Sequence, residues 1–147
     1  MCIMKGNYMF EHEKITKDVS RAKKFFEDII SFTIGPYTLD EIIEKRVNTI
    51  NIVDVRDYDN YTDGHIPYAS HIPHDRIEEN AEILDKSKVT VVYTYSDSCP
   101  RAYYAALKLA EHHYPSVVLR GGFRMWKKFD FDITKSSADD YPPSDEI

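Results

Sequence analysis

Seven consecutive residues, Lys88-Val89-Thr90-Val91-Val92-Tyr93-Thr94, constrain the fold of this chain more than any other stretch. Nearly all are β-formers, and apolar and polar positions do not alternate. A strand of that kind is covered on both faces, as central strands of parallel sheets are. A polar loop follows, then a helix over 100–113. Pro100 suits its first position, Ala and Leu fill its interior, and Tyr114-Pro115 stops it. Asn48–Val55 and Ser116–Leu119 read as further strands, with a brief one at Ser70–Ile72 before Pro73. The spacing predicts a helix over 38–46, with Thr38 as N-cap and Glu41 completing a capping box. A short helix over 57–63 ends at Gly64, and residues 75–84 read as loop with helical turns. Gly121-Gly122 turns the chain into a last helix over 123–128. Strands alternating with helices imply an α/β fold with parallel crossovers, and ligands bind such sheets at the carboxyl ends of the strands. The loop after Thr94 is therefore the first place to look for function.

Upstream, residues 15–31 predict an amphipathic helix. Ile15, Val19, Ala22, Phe25, Phe26, Ile29 and Ile30 follow three-four spacing, with Lys and Arg opposite. Its stripe is expected to pack on the domain or to bury at a dimer interface. Ser31 to Pro36 breaks it. Residues 1–14 read as a loose lead-in, 15–134 as one domain, and 135–147, rich in Ser, Asp and Pro, as a disordered tail.

Composition bounds the function. With 42% hydrophobic and 13% aromatic residues in 147, the chain can build one core without metals or disulfides. Twenty-five acidic against 19 basic residues give a net charge of -6, which argues against a nucleic-acid partner. No apolar run approaches the ~18 residues that span a bilayer. Lys5, Glu11, Glu13 and Lys14 interrupt any leader, so no membrane role is expected. Cys2 and Cys99 lie far apart, make no disulfide framework and fit a reducing, cytoplasmic setting. His71-x-x-His74 and His112-His113 lack a third ligand at workable spacing, so neither a metal nor any other cofactor is expected.

Several motifs occur in a telling order: Asp54-Val55-Arg56, Tyr61-x-x-Gly64-His65-Ile66-Pro67-x-Ala69, Ile72-Pro73, Val91-Val92-Tyr93, Ala105-Ala106-Leu107 and Leu119-x-Gly121-Gly122-Phe123-x-x-Trp126. On these residues the stretch from Ile52 to Phe129 resembles the rhodanese-like (sulfurtransferase) domain family. The N-terminal helix with Phe25-Phe26, then Phe32 and Thr38-Leu39, resembles a single-domain subgroup with such an extension. The resemblance implies a parallel sheet of about five strands flanked by helices, with an extra N-terminal helix. It also implies a cysteine at the end of the central strand that holds sulfane sulfur as a persulfide and passes it to cyanide or a thiol. Main-chain N–H groups and a helix N-terminus favour that anionic sulfur. Here the position is Thr94, and threonine cannot hold a persulfide.

The candidate site is the loop Thr94, Tyr95, Ser96, Asp97, Ser98 and Cys99, with Arg101 beyond Pro100. Cys99 is the candidate catalytic thiol. The helix end and Arg101 favour its thiolate, and Asp97 opposes it. Its plainer reading is an exposed loop thiol. Thr94 has no His nearby in sequence to act as its base, so it reads as a strand-end residue. Asp54 and Arg56 are expected to form a partly buried ion pair. Gly64 and His65 read as turn residues, Gly121-Gly122 as a tight backbone turn, and Trp126 as core. Dual-specificity phosphatases and arsenate reductases share the fold but need cysteine, five residues, then arginine. Arg101 follows Cys99 by two, and six residues separate it from Thr94. Two functions follow. One is a binding or regulatory module whose loop holds a small anion or a protein partner. The other is a sulfurtransferase with Cys99 as displaced nucleophile, fed by a small sulfur-containing donor.

Overall fold

The computed structural model describes residues 15–136. Its elements are α1 (Val19–Phe32), β1 (Thr33–Ile34), α2 (Pro36–Arg46), β2 (Ile50–Asp54), α3 (Tyr58–Asp63), β3 (Ser70–His71), α4 (Ile77–Asn80), β4 (Val89–Tyr93), α5 (Arg101–Glu111), β5 (Ser116–Leu119) and α6 (Gly122–Lys128). The five strands form one parallel sheet in the order β1-β5-β4-β2-β3. The fold is therefore α/β as expected.

β4 is the central strand, and it explains the unbroken run of β-formers. Val91 and Tyr93 point into one core layer with Leu39, Ile52, Ile66, Leu119 and Trp126. Val92 points into the other, with Val53, Ala105, Leu109 and Val118. Both faces are dry, so alternation has nothing to serve. Each such Val, Leu or Ile contributes roughly 1.5–3 kcal/mol on burial. Trp126 is fully buried and satisfies its ring N–H on Asp132 O at 2.8 Å.

The N-terminal part departs from expectation in four ways. α1 begins at Val19 rather than residue 15, because the Asp18 carboxylate accepts the Arg21 N–H at 3.1 Å and caps the helix there. No residue of α1 is buried, and most of its apolar stripe stays exposed. The break at Ser31–Pro36 contains a strand: β1 pairs with β5 as Thr33↔Val118 and Ile34↔Leu119. The capping box at Thr38 does not form. Pro36 sets the helical φ two residues earlier, Gly35 is the N-cap, and Glu41 pairs with Lys45 Nζ at 3.1 Å.

Pro100 occupies the N-cap of α5 rather than its first turn, and α5 ends at Glu111. At the C-terminal side, His65 and Thr134 exchange two main-chain hydrogen bonds of 2.9 Å, and Ser136 N–H donates to Thr62 O at 3.2 Å. The tail expected from 135 is thus attached at Ser136. The lead-in over 1–14 and the rest of that tail lie outside the described residues. Among the described residues, no helix is long and apolar enough to cross a membrane.

Candidate functional site

Two neighbouring strands end side by side, and their ends differ. At the end of β2, Asp54 is fully buried and Arg56 nearly so. Arg56 Nε donates to both Asp54 oxygens at 3.1 Å, and Nη2 donates to Oδ2 at 2.7 Å. Nη2 also donates to Gly64 O at 2.6 Å. The guanidinium lies over the Phe123 ring, 4.0 Å from its centroid. Tyr93 Oη donates to Asp54 Oδ2 at 2.7 Å and accepts the Ile66 N–H at 3.0 Å. Burial alone would lower the Arg56 pKa, but the hydrogen bonds and charge of Asp54 outweigh it and raise it. Burial, then the Asp54 charge, pushes Tyr93 well above the usual phenol range. The ion pair expected from Asp54 and Arg56 is present and more deeply buried than expected.

His65 belongs to this corner. Its Nδ1–H donates to Tyr61 O at 2.8 Å, and its ring stacks on Tyr61 at 3.8 Å between centroids. Burial lowers its pKa. His71 Nε2–H donates to Arg56 O at 2.7 Å. Among the described residues, no cluster of three metal-ligating side chains occurs.

The loop at the end of β4 is held from outside by the Gly121-Gly122 turn. Both glycines have left-handed φ, +80° and +60°. A Cβ on Gly122 would stand 2.6 Å from Thr94 O and 2.8 Å from Tyr95 C. Only glycine lets the two backbones approach so closely. Phe123 N–H donates to Thr94 O at 2.9 Å, Arg124 N–H to Tyr95 O at 2.8 Å, and Gly121 N–H to Asp97 Oδ2 at 2.9 Å. Within the loop, Cys99 N–H donates to Ser96 O at 3.1 Å, and the Ser96 and Ser98 hydroxyls are 2.6 Å apart. Among the described residues, the N–H groups of Tyr95, Ser96, Asp97 and Ser98 donate to no protein acceptor.

A cleft of about 600 Å³ opens on this loop. Thr94, Tyr95, Ser96, Ser98, Cys99, Arg101 and Arg56 line it, as do Asp57, Asn60 and Arg124. Asp97 does not, because its carboxylate is turned to Gly121. Arg124 was missed by sequence reasoning, since it holds an unspecified position between Phe123 and Trp126. Its signal was the glycine pair, which must fold the first turn of α6 back onto the loop. Asp57 and Asn60 come from the start of α3, which carries no signature of its own.

Cys99 corrects two expectations. It is 4% exposed rather than an exposed loop thiol. It is also disulfide-bonded, so it presents no thiol in this state. Cys2, the other cysteine, lies outside the described residues. Thr94 is buried as well, with Oγ1 4.0 Å from Cys99 Sγ.

Three comparisons bear on this site. Residues 36–129 match the family model of the Rhodanese-like domain. Over 88 residues the chain is 38% identical to a thiosulfate sulfurtransferase GlpE of Coxiella burnetii, covering 59% of this chain and 78% of that protein. Among solved structures, BH2092 of Bacillus halodurans superposes with a TM-score of 0.74 at 28% identity, over 88% of this chain and 97% of its own. A rhodanese-like domain protein of Staphylococcus aureus shares the fold with a TM-score of 0.63 at 24% identity, over 72% and 99%.

Proposed function

Because the chain belongs to the rhodanese-like domain family, we propose that it is a binding or regulatory module whose loop 94–100 holds a small anion or an anionic group of a partner. One observation carries this reading: the residue at the end of β4 is the buried Thr94. The family's sulfur chemistry needs a thiolate there, and a hydroxyl cannot replace it. What remains suits binding. Among the described residues the loop's N–H groups at 95–98 have no acceptor, α5 begins beside it, and Arg101 and Arg124 line the cleft. Backbone N–H groups at a helix start with nearby guanidinium groups make an anion site.

Sulfurtransfer through Cys99 is a second reading, favoured by the sulfurtransferase relative and by the place of Cys99 in the cleft wall. It requires an external dithiol to reduce the Cys99 disulfide first. Thiocyanate formation from thiosulfate and cyanide, under reducing conditions, separates the two. The binding reading expects no turnover by the native chain and thiosulfate-dependent shifts of the amide signals of residues 95–99. Turnover abolished by Cys99→Ser would replace it with the second reading. Thr94→Cys is expected to create turnover, because the loop is otherwise held in place. A cytoplasmic setting is part of the proposal. Subcellular fractionation tests it: recovery with cytoplasmic markers agrees, and recovery with exported proteins does not.

A further inference from the structure

The apolar stripe of α1 lies uncovered. Val19, Phe26 and Ile30 are 79%, 58% and 74% exposed, and Phe25 packs edge-on against Phe26 with 5.4 Å between ring centroids. Side chains of this size in contiguous array mark an interaction surface. The charges beside the stripe identify what fits it.

At 100° per residue, Lys23 and Glu27 fall on one flank of the stripe, and Arg21 and Asp28 on the other. Each flank is basic toward the N-terminus of α1 and acidic toward its C-terminus. A two-fold axis perpendicular to the helix brings each flank against its own copy, running the opposite way. Lys23 then meets Glu27 of the second copy, and Arg21 meets Asp28. The two pairings place the axis within half a residue of each other, about 0.75 Å, beside Phe25. Val19 of one copy falls level with Ile30 of the other, and the Phe25-Phe26 pairs meet in the middle. A parallel pair would instead bring Lys23 near Arg21 and Glu27 near Asp28, which repel. Antiparallel packing also opposes the helix dipoles favourably. Alternating charge sign on both flanks does not suit an anionic lipid surface, which calls for a uniformly basic border.

We propose that α1 is a self-association element, docking antiparallel on α1 of a second copy of this chain. A helix of 14 residues is only about 21 Å long, so the contact falls below the ~800 Å² per partner of a standard interface and the dimer is weak. No side chain of α1 is buried in the domain, so substitutions there leave the core intact.

Sedimentation of the full chain over a wide concentration series is expected to show a rise from 17.2 kDa to twice that mass. Phe26→Ser is expected to weaken association at least roughly tenfold, with an unchanged denaturation midpoint. Lys23→Glu and Glu27→Lys are each expected to weaken it, and mixing the two single variants to restore it as heterodimers. Mixing cannot repair the pair that Lys23 and Glu27 make within one helix, 3.8 Å apart, so restoration reports on contacts between copies. A monomer at every concentration overturns the proposal, including the case in which residues 1–14 cover the stripe. A dimer indifferent to Phe26→Ser overturns it by pointing to another face. A dimer sensitive to Phe26→Ser but not restored by mixing overturns the antiparallel register.

Discussion

At the carboxyl end of β2, the buried carboxylate of Asp54 meets a two-pronged guanidinium and a phenol, and each of those groups has a further partner in the protein. At the carboxyl end of β4, next in the sheet, four successive main-chain N–H groups have no protein acceptor among the described residues. Both places are rich in polar atoms. The first encloses them and gains rigidity. The second exposes them to a cleft, and the Gly121-Gly122 turn clamps the loop from outside. A cluster that satisfies itself is architecture, whereas one held open from outside leaves donors available to a ligand. A charged residue in a signature motif therefore reveals its role through how many of its hydrogen-bonding groups are already engaged.

Substitutions can break this contrast. Arg56→Ala leaves Asp54 buried without its cation and should cost about 3–5 kcal/mol in urea denaturation. A loss near zero would mean that the corner is not what holds the two strand ends. Gly122→Ala combines a left-handed φ with a Cβ pressed on Thr94 O. It should lose roughly 1–3 kcal/mol and, unlike Arg56→Ala, also alter the amide signals of residues 95–98 in the folded protein. Tyr93→Phe removes the hydroxyl shared by Asp54 and Ile66 and should cost about 1–3 kcal/mol without disturbing the loop. Arg124→Ala should barely change stability, since its guanidinium makes no hydrogen bond or ion pair among the described residues, yet weaken thiosulfate binding roughly tenfold. If it weakens folding instead, the cleft belongs with the closed corner.

The smallest effect is a pH dependence. Burial holds the His65 pKa below its unfolded value of about 6.5, so the unfolded chain binds more protons in the window just below that value. Its contribution to stability is full above that value and is lost as pH falls through it. Thermal melts between neutral and mildly acid pH should show that loss, and His65→Gln should flatten it.

The sheet was legible in the sequence because strands buried on both faces need continuous β-formers, as in Val89–Tyr93 and Ile50–Asp54. β1 was not, because two residues carry no pattern, and Thr33-Ile34 becomes a strand only when β5 lies alongside. The capping box at Thr38 was locally sound but yielded to the fixed φ of Pro36. In the site, the loop and its lack of a cysteine at residue 94 were plain. Arg124 and the turning away of Asp97 were not, since both depend on where Gly121-Gly122 brings α6 in space.

The placement of β1 at the sheet edge beside β5 has a consequence for how the chain is made. Translation delivers β1 before the other four strands of the sheet, but the strand it must join, β5, follows all the others. A nascent chain therefore carries an unpaired β1 and the adjoining greasy helix throughout most of its synthesis, and the remaining strands can assemble first. Closure of that edge waits for β5, and until then the growing polypeptide offers chaperones an obvious handhold at α1 and β1.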